Sequence, residues 1–219
     1  MFDREIPLPY STIPTRFGKF DYQDPDPKDV NLADVVNALI RVSRFAGHLP
    51  HPRMRYSVLD HSVLVRELLV WAFPTAGPEL RLGALLHDAA EAYLGDVTTP
   101  MKRAMGGPWR RFENRVERAV FQGLGIPMDL VKSFEVKATD LLAYQVERRD
   151  LFGWTDIRFA PEPPRLEDLI RPHSTMDLFL TRLQSDSLNA GRADLHQQAI
   201  EVQRRMSASV ACSPHDPQP

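Results

Sequence analysis

The 219-residue chain has a single cysteine, Cys212, and therefore cannot form an internal disulfide. It also lacks an excess of either charge: 27 Lys and Arg stand against 29 Asp and Glu, a net charge of −2. This balance gives no electrostatic argument for a nucleic-acid polymer or a membrane as partner. The most apolar run, residues 63–73, carries Arg66 and Glu67 and is too short to span a bilayer. The first residues do not resemble a signal peptide, so we expect a cytoplasmic protein.

The length and the hydrophobic fraction of 43% are those of a globular domain with a sizeable core. Apolar residues recur mostly at helical spacing, which predicts an all-α fold built as a helical bundle. Proline-rich stretches divide the chain. We expect an extended N-terminal arm at 1–29, a helical domain at 30–152, a linker and C-terminal helical extension at 153–207, and a disordered tail at 208–219.

Caps and prolines predict where the helices begin and end. The first begins after the N-cap Asn31 and ends near Gly47, and its last turns carry Arg41, Arg44, Phe45 and His48. Pro50 and Pro52 exclude regular helix from residues 48–56, which we expect to form a loop. Ser57 then caps the next helix. Further helices are expected from near Trp109 to Leu124, from Pro127 through Tyr144, around residues 175–186 and around residues 191–206.

A histidine and two carboxylates stand close together in the run His87-Asp88-Ala89-Ala90-Glu91. Read as a helix, this segment has one bulky apolar face formed by Leu82, Leu85, Leu86, Ala89 and Tyr93. The polar residues share the other face with small residues such as Gly83, which favour close approach of another helix. Buried charges are costly unless they are compensated, and a metal ion suits imidazole beside carboxylate. The alternative is an amphipathic helix that shows three polar side chains to water.

Two more polar side chains fall on apolar helix faces, His61 and Asp140. Each has an ordinary explanation by itself: His61 as a hydrogen-bonded core histidine, and Asp140 as a capping or paired residue. Together with His87 and Asp88 they make two imidazoles and two carboxylates. That set suits a divalent ion such as Mn, Co, Fe, Zn or Mg and leaves positions open for water and substrate.

The groups next to these candidate ligands indicate hydrolysis. Glu91, one turn after His87, is spaced to act as general base or acid on a water molecule. In the loop after Gly95, Asp96 can accept from substrate hydroxyls and Lys102 can face a phosphate. The alternative is that this loop is a plain turn at Pro100. We therefore predict water attack on a phosphorus centre. The alternative is a helical protein whose buried polar residues form no site.

The order His61, His87-Asp88, Asp140 resembles the HD-domain metal-dependent phosphohydrolases, over roughly residues 15–152. The similarity includes Tyr56 through Ser62, Gly95 through Lys102, and Lys137 through Asp140, and it is to the group of bacterial 5′-deoxynucleotidases and phage dATP triphosphohydrolases. It implies an HD-domain helical bundle in which the four residues bind metal, Glu91 handles the water and Asp96 contacts the substrate near the sugar. It also implies that Arg44 and Phe45, in the run Arg44-Phe-Ala-Gly-His48, line a nucleotide pocket, and we count His48 among the candidate substrate-binding residues. Phe45 stands where the 5′-deoxynucleotidases have tryptophan, so base and sugar preference do not transfer.

Three functions follow from these observations. The first is removal of phosphate from deoxynucleoside 5′-monophosphates. The second is release of triphosphate from a deoxynucleoside triphosphate, which needs more cations; the candidates are Arg41, Arg44, Arg53, Arg55, Lys102 and Lys137. The third is a non-catalytic nucleotide sensor, against which an intact Glu91 and Asp96 count. We expect a nucleotide as the binding partner. The resemblance to this family also implies that the protein can form a homo-oligomer.

Overall fold

Helices make up most of the protein in the computed structural model, which describes residues 11–52, 54–171 and 175–211. They are α1 (Leu32–Leu39), α2 (Val58–Ala72), α3 (Pro78–Leu86), α4 (Glu91–Leu94), α5 (Thr99–Gly123), α6 (Met128–Val131), α7 (Phe134–Phe152), α8 (Leu166–Leu169), α9 (Thr175–Asn189) and α10 (Ala193–Ala211). Within the described ranges, none of the helices combines the length and apolarity needed to cross a membrane. The predicted all-α class is confirmed.

Helix α2 lies at the centre of the bundle and packs against α3, α7 and α9. Its residues are buried almost all round, as expected for a helix enclosed by other helices. Ser57 caps it as predicted, in a capping box: the Ser57 hydroxyl accepts from the Asp60 backbone N–H, and the Asp60 carboxylate accepts from the Ser57 N–H. This fixed start sets the direction of His61 on the first turn.

Residues 11–22 form a small hairpin, not an extended arm. Strand β1 (Thr12–Pro14) pairs antiparallel with β2 (Lys19–Asp21). Phe20 on β2 is fully buried and stacks on Tyr93 with ring centroids 4.1 Å apart. The Tyr22 hydroxyl donates to the Tyr93 carbonyl oxygen. The hairpin therefore packs against α4, while the first ten residues of the predicted arm lie outside the described residues.

The first helix is shorter than predicted, because α1 ends at Leu39 and not near Gly47. Arg44–Gly47 instead form a separate 3₁₀ turn, in which Phe45 and Ala46 have positive φ angles of 57° and 50°. The chain also bridges here to the start of α2 through Ser43 and Ser57. Tertiary contacts at this turn thus override the helical periodicity that the sequence shows.

Two other helix boundaries differ from the prediction. Helix α5 begins at Thr99 and not near Trp109, and it is bent at Gly106, whose φ is 66°. Pro127 opens only the short α6, whereas α7 has its own N-cap, Ser133, which accepts from the Val136 N–H. Helices α3 and α6 approach closely at Gly83: a Cβ atom there would lie 2.9 Å from Leu130 Cγ.

The C-terminal helices share one core with the rest of the protein. Helix α9 packs against α2 and α3, and α10 packs against α9 and α1. The buried Arg66 of α2 donates two hydrogen bonds of 3.0 Å to Asp186 of α9. Thr175, at the start of α9, donates to Asp60 of α2. Helices are present where the sequence predicted them, although α10 continues to Ala211 and residues 212–219 of the predicted tail lie outside the described residues.

Candidate metal centre

Two histidines, one on α2 and one in the turn after α3, direct the same ring nitrogen toward one point. His61 Nδ1 lies 2.6 Å from the Glu147 carboxylate, and His87 Nδ1 lies 2.8 Å from the Ala84 carbonyl oxygen. Since both partners are acceptors, Nδ1 carries the proton in each neutral ring and the lone pair is left on Nε2. The two Nε2 atoms face two carboxylates, those of Asp88 and Asp140.

Three of the four distances among these groups match those of ligands that share an ion, and the fourth, from His87 to Asp140, is slightly longer. His61 Nε2 lies 3.0 Å from Asp140 Oδ1 and 3.6 Å from Asp88 Oδ2. His87 Nε2 lies 3.2 Å from Asp88 Oδ2 and 3.8 Å from Asp140 Oδ1. Two ligands at bond lengths of about 2.0–2.2 Å and angles of about 90–110° are about 2.8–3.6 Å apart. His61, His87 and Asp88 form the metal-ligand cluster found among the described residues, with ligand atoms within 4.8 Å of one another.

Hydrogen bonding gives a second reason why the donor set fits a divalent cation. Two imidazole lone pairs and two carboxylates are all acceptors, and acceptors at these distances repel one another unless a positive charge lies among them. His87 Nε2 and Glu91 Oε2 are buried and have no hydrogen-bond partner in the described structure. Unpaired buried polar atoms are rare and costly, so these two atoms fit a site that an ion or a ligand group completes.

The charges of the cluster are strongly coupled. Burial disfavours the Asp88 carboxylate, but the imidazoles of His87 and His61 outweigh it and lower the pKa of Asp88 to about 2. The same two imidazoles also lower the pKa of Asp140, again against burial. Burial disfavours both imidazolium ions, yet the facing carboxylates raise the pKa of His61 and of His87. The imidazoles and the facing carboxylates thus each favour the charged form of the other.

Glu91 lies beside the cluster, and its pKa is shifted in the opposite direction to those of Asp88 and Asp140. Its carboxyl group is buried, and this burial, with the charges of Asp88 and Asp96 nearby, raises its pKa well above the usual value. Arg44 and Lys102 act in the other direction and do not cancel the effect. A carboxyl group whose pKa is raised by burial is suited to proton transfer at a bound substrate.

The backbone brings these side chains together differently from the predicted continuous helix. Helix α3 ends at Leu86, and residues 87–90 form a tight turn before α4 begins at Glu91. The turn uses i to i−3 hydrogen bonds, from Ala89 N–H to Leu86 O and from Glu91 N–H to Asp88 O. This tightening rotates Glu91 relative to His87. Asp140 also departs from the prediction, because its side chain is 44% exposed and lies at the mouth of the site, not in the interior.

Glu147 is a functional candidate that the sequence interpretation missed. It is completely buried on α7, and its second oxygen lies 3.4 Å from Arg44 Nη2. Burial disfavours its charge, but His61 and Arg44 lower the pKa of Glu147 below the usual value. The signal for it was its spacing: Glu147 follows Asp140 by seven residues and thus shares its helix face. Carboxylates that orient a metal-binding histidine are a regular feature of metal sites.

Arg44 links Glu147 to the loop after α4. Arg44 Nη1 lies 3.2 Å from Asp96 Oδ1, and the other Asp96 oxygen accepts from the Phe45 backbone N–H at 2.8 Å. Gly95, with a φ of 74°, ends α4 and turns the chain so that Asp96 reaches this position. Asp96 therefore holds Phe45 and Ala46 in the left-handed region, which costs energy for residues other than glycine. Asp96 thus orders the wall of the site in this structure, in addition to the predicted contact with substrate.

The remaining predicted substrate-binding residues are placed less centrally. Lys102 lies in the first turn of α5 and forms an ion pair with Glu113 at 2.7 Å. Burial works against its charge, but Glu113 raises the pKa of Lys102. Phe45 is half-buried next to Arg44. His48 is exposed at the end of the 3₁₀ turn and is not part of the metal-ligand cluster found among the described residues.

Taken together, the fold and the site define an all-α protein with a partly buried histidine and aspartate cluster of metal-binding geometry. No known family model matches the chain. It is 38% identical over 152 residues to the uncharacterized protein YfdR of Escherichia coli K12, a match that spans 69% of this chain and 78% of YfdR. It is also 36% identical over 140 residues to an uncharacterized protein of Rhodobacter capsulatus, spanning 63% of this chain and 71% of that protein. The chain belongs to the same family as these two proteins.

Proposed function

We propose that the protein is a divalent-metal-dependent phosphohydrolase of the HD-domain type that removes phosphate from deoxynucleoside 5′-monophosphates. The observation that carries this proposal is the convergence of His61, His87, Asp88 and Asp140 beside an unpaired, buried Glu91. A purely structural metal site has all its coordination positions filled by protein and has no use for a proton-transfer group beside it. We expect such an enzyme to work in the cytoplasm.

The protein's own residues have separate tasks in this proposal. The four ligands hold the ion, which when bound supplies Lewis acidity toward a phosphate ester and lowers the pKa of water. The exposed side of Asp140 leaves an entry for substrate. Glu91 Oε2 exchanges a proton with the attacking water or with the leaving oxygen, because it is buried, unpaired and close to the ligand set. Arg44 offers a guanidinium that Asp96 and Glu147 hold in place, ready for an anionic substrate group.

The placement of the cations favours a monophosphate over a triphosphate substrate. Of the six candidates, Arg41 is exposed and bonded to Asn37, and Lys102 is paired with Glu113. Arg55 and Lys137 are exposed to solvent, and Arg53 lies outside the described residues. Arg44 is the buried cation that lies against the site carboxylates in the described part of the chain. Arg44, with Lys102 as a second cation whose charge reaches Glu91, suits one phosphate group better than three.

The test supplies Mn, Co, Mg or Zn to the metal-stripped protein and assays a panel of deoxynucleoside mono- and triphosphates, with products separated by chromatography. Inorganic phosphate from monophosphates is expected. Triphosphate released from a deoxynucleoside triphosphate would move the protein to the second predicted activity. No product with any metal, together with tight nucleotide binding, would favour the non-catalytic sensor and overturn the proposal.

Matched variants separate catalysis from general damage. Asp88→Asn removes a ligand charge without changing shape, and we expect loss of both metal binding and turnover. Glu91→Gln is expected to keep the metal and to lose turnover by about 10²-fold or more, as for removal of a general acid or base. Asp129→Asn, on the surface of α6, is the control and should behave as the parent protein.

A further inference from the structure

A row of aromatic rings runs from the candidate metal centre along the outer side of α7. The Phe45 ring lies 6.3 Å from that of Tyr144 and 4.9 Å from that of Phe152, and the Phe152 ring lies 6.4 Å from that of Trp154. Arg148 joins the row, with its guanidinium carbon 3.9 Å from the Trp154 ring centroid and 5.7 Å from the Tyr144 centroid. We call these five residues the aromatic shelf.

The two ends of the shelf are open to solvent, although its centre is half-buried. Tyr144 is 38% exposed and Trp154 is 47% exposed. Trp154 is brought back to the helix because Gly153 adopts the left-handed conformation and the Trp154 N–H bonds to the Arg148 carbonyl oxygen. Single exposed rings are ordinary, whereas a contiguous row beside a polar site is typical of a binding surface.

The shelf and the metal centre are parts of one continuous surface. Tyr144 follows Asp140 by one turn of α7, about 6 Å along the helix axis. Phe45 directly follows Arg44, whose guanidinium contacts the site residues Asp96 and Glu147. A ligand that occupies both parts must therefore carry an anionic group and a flat, π-faced ring in one small molecule.

We propose that the aromatic shelf, with Tyr144 as its main contact, is the subsite that stacks the base of a nucleotide whose phosphate lies at the metal centre. Aromatic side chains and arginine planes stack nucleobases without needing hydrogen bonds to base edges. The shelf therefore accepts purines and pyrimidines alike, and substrate preference is for the presence of a base more than for its identity. The position of the phosphate rests on the proposed phosphohydrolase function.

The experiment compares a ligand with a base to one without it. The probes are deoxyadenosine 5′-monophosphate and 2-deoxyribose 5-phosphate, titrated by calorimetry into full-length, manganese-supplied Glu91→Gln protein so that turnover does not interfere. Adding Tyr144→Leu should raise the Kd of the mononucleotide at least about fivefold, the lower end for loss of one stacked base. The Kd of the sugar phosphate should stay within about twofold. Tyr144→Phe should restore mononucleotide affinity, and Leu141→Ala, an exposed neighbour on α7, should change neither Kd.

The outcomes distinguish failure of the shelf from failure of the proposed function. Equal weakening of both probes, or an unchanged mononucleotide Kd, overturns the shelf even if the parent protein hydrolyses deoxynucleotides. Tyr144-dependent binding of the mononucleotide by a parent protein that hydrolyses nothing supports the shelf and refutes the phosphohydrolase. A dimer in sedimentation velocity that Tyr144→Leu dissociates, with mononucleotide binding unaffected, identifies the row as contact with a second copy and overturns the proposal. Binding of neither probe overturns both.

Discussion

The strongest single test of the metal centre is the isosteric change Glu147→Gln. Glu147 is completely buried and accepts at 2.6 Å from His61 Nδ1, while its other oxygen lies 3.4 Å from Arg44. Glutamine keeps one oxygen. If that oxygen stays on His61, the new NH₂ group faces the Arg44 guanidinium; if it turns away, Nδ1 loses its acceptor. Either way one charge-assisted hydrogen bond is lost, about 1.5–3 kcal/mol.

That loss corresponds to a metal affinity lower by about ten- to a hundredfold, the range found when carboxylates behind metal-binding histidines are changed. Competition with a fluorescent chelator for manganese or zinc measures the affinity, and circular dichroism checks that the variant is folded. Glu162→Gln is the matched control, because Glu162 is 62% exposed and pairs with Arg149 away from the cluster. A folded Glu147→Gln protein with metal affinity within about twofold of the parent would refute the role assigned to this carboxylate.

Three further changes follow from the same contacts. Glu91→Gln should stabilise the metal-free protein. Burial and neighbouring carboxylates raise the pKa of Glu91 in the folded state. The protonated Glu91 therefore contributes its full stability below the pKa of the unfolded state, and this contribution is lost as the pH rises through the pKa of the folded state. The gain in Tm should thus be larger at about pH 8 than at about pH 5, and equal gains would contradict this. Asp186→Asn removes one of the two charged partners of the buried Arg66, Glu67 being the other, and should lower the free energy of unfolding by about 1.5–3 kcal/mol in urea titrations, without affecting metal affinity. Gly83→Ala forces a Cβ to within 2.9 Å of Leu130 Cγ and should cost about 1–3 kcal/mol by the same measurement; an unchanged midpoint would mean that α6 moves freely.

Two of the candidate metal ligands could be predicted from the sequence because they lie on helices, where spacing alone shows which side chains share a face. His61 on α2 and Asp140 on α7 were found in this way, and the His87-Asp88 pair by its apolar surroundings. Asp140 nevertheless lies nearer to solvent than its helix face indicated. Periodicity gives the direction of a side chain around the helix axis, but not how far the neighbouring elements cover it.

The wall of the site could not be predicted in the same manner. The turn at Arg44–Gly47 exists because Asp96 accepts from a backbone N–H 51 positions earlier in the chain. No local pattern encodes such a contact, and the local apolar spacing favoured a continued helix instead. Glu147 was missed for a related reason: one glutamate among charged neighbours looks like solvated surface until His61 and Arg44 are seen against it.

The stacking of Phe20 on Tyr93 connects the N-terminal hairpin to the helical turn that carries Glu91. Tyr93 belongs to the same single turn of helix as Glu91, and that turn is too short to hold its own position. Phe20 and Tyr22 therefore act as its external brace, one through its ring and the other through its hydroxyl. His61 and Asp140 lie on the longer helices α2 and α7, whereas His87 and Asp88 lie in the turn that leads into α4. Loosening the hairpin should consequently displace Glu91 relative to His61 and Asp140, so that the candidate proton-transfer group loses its alignment with the candidate ligands.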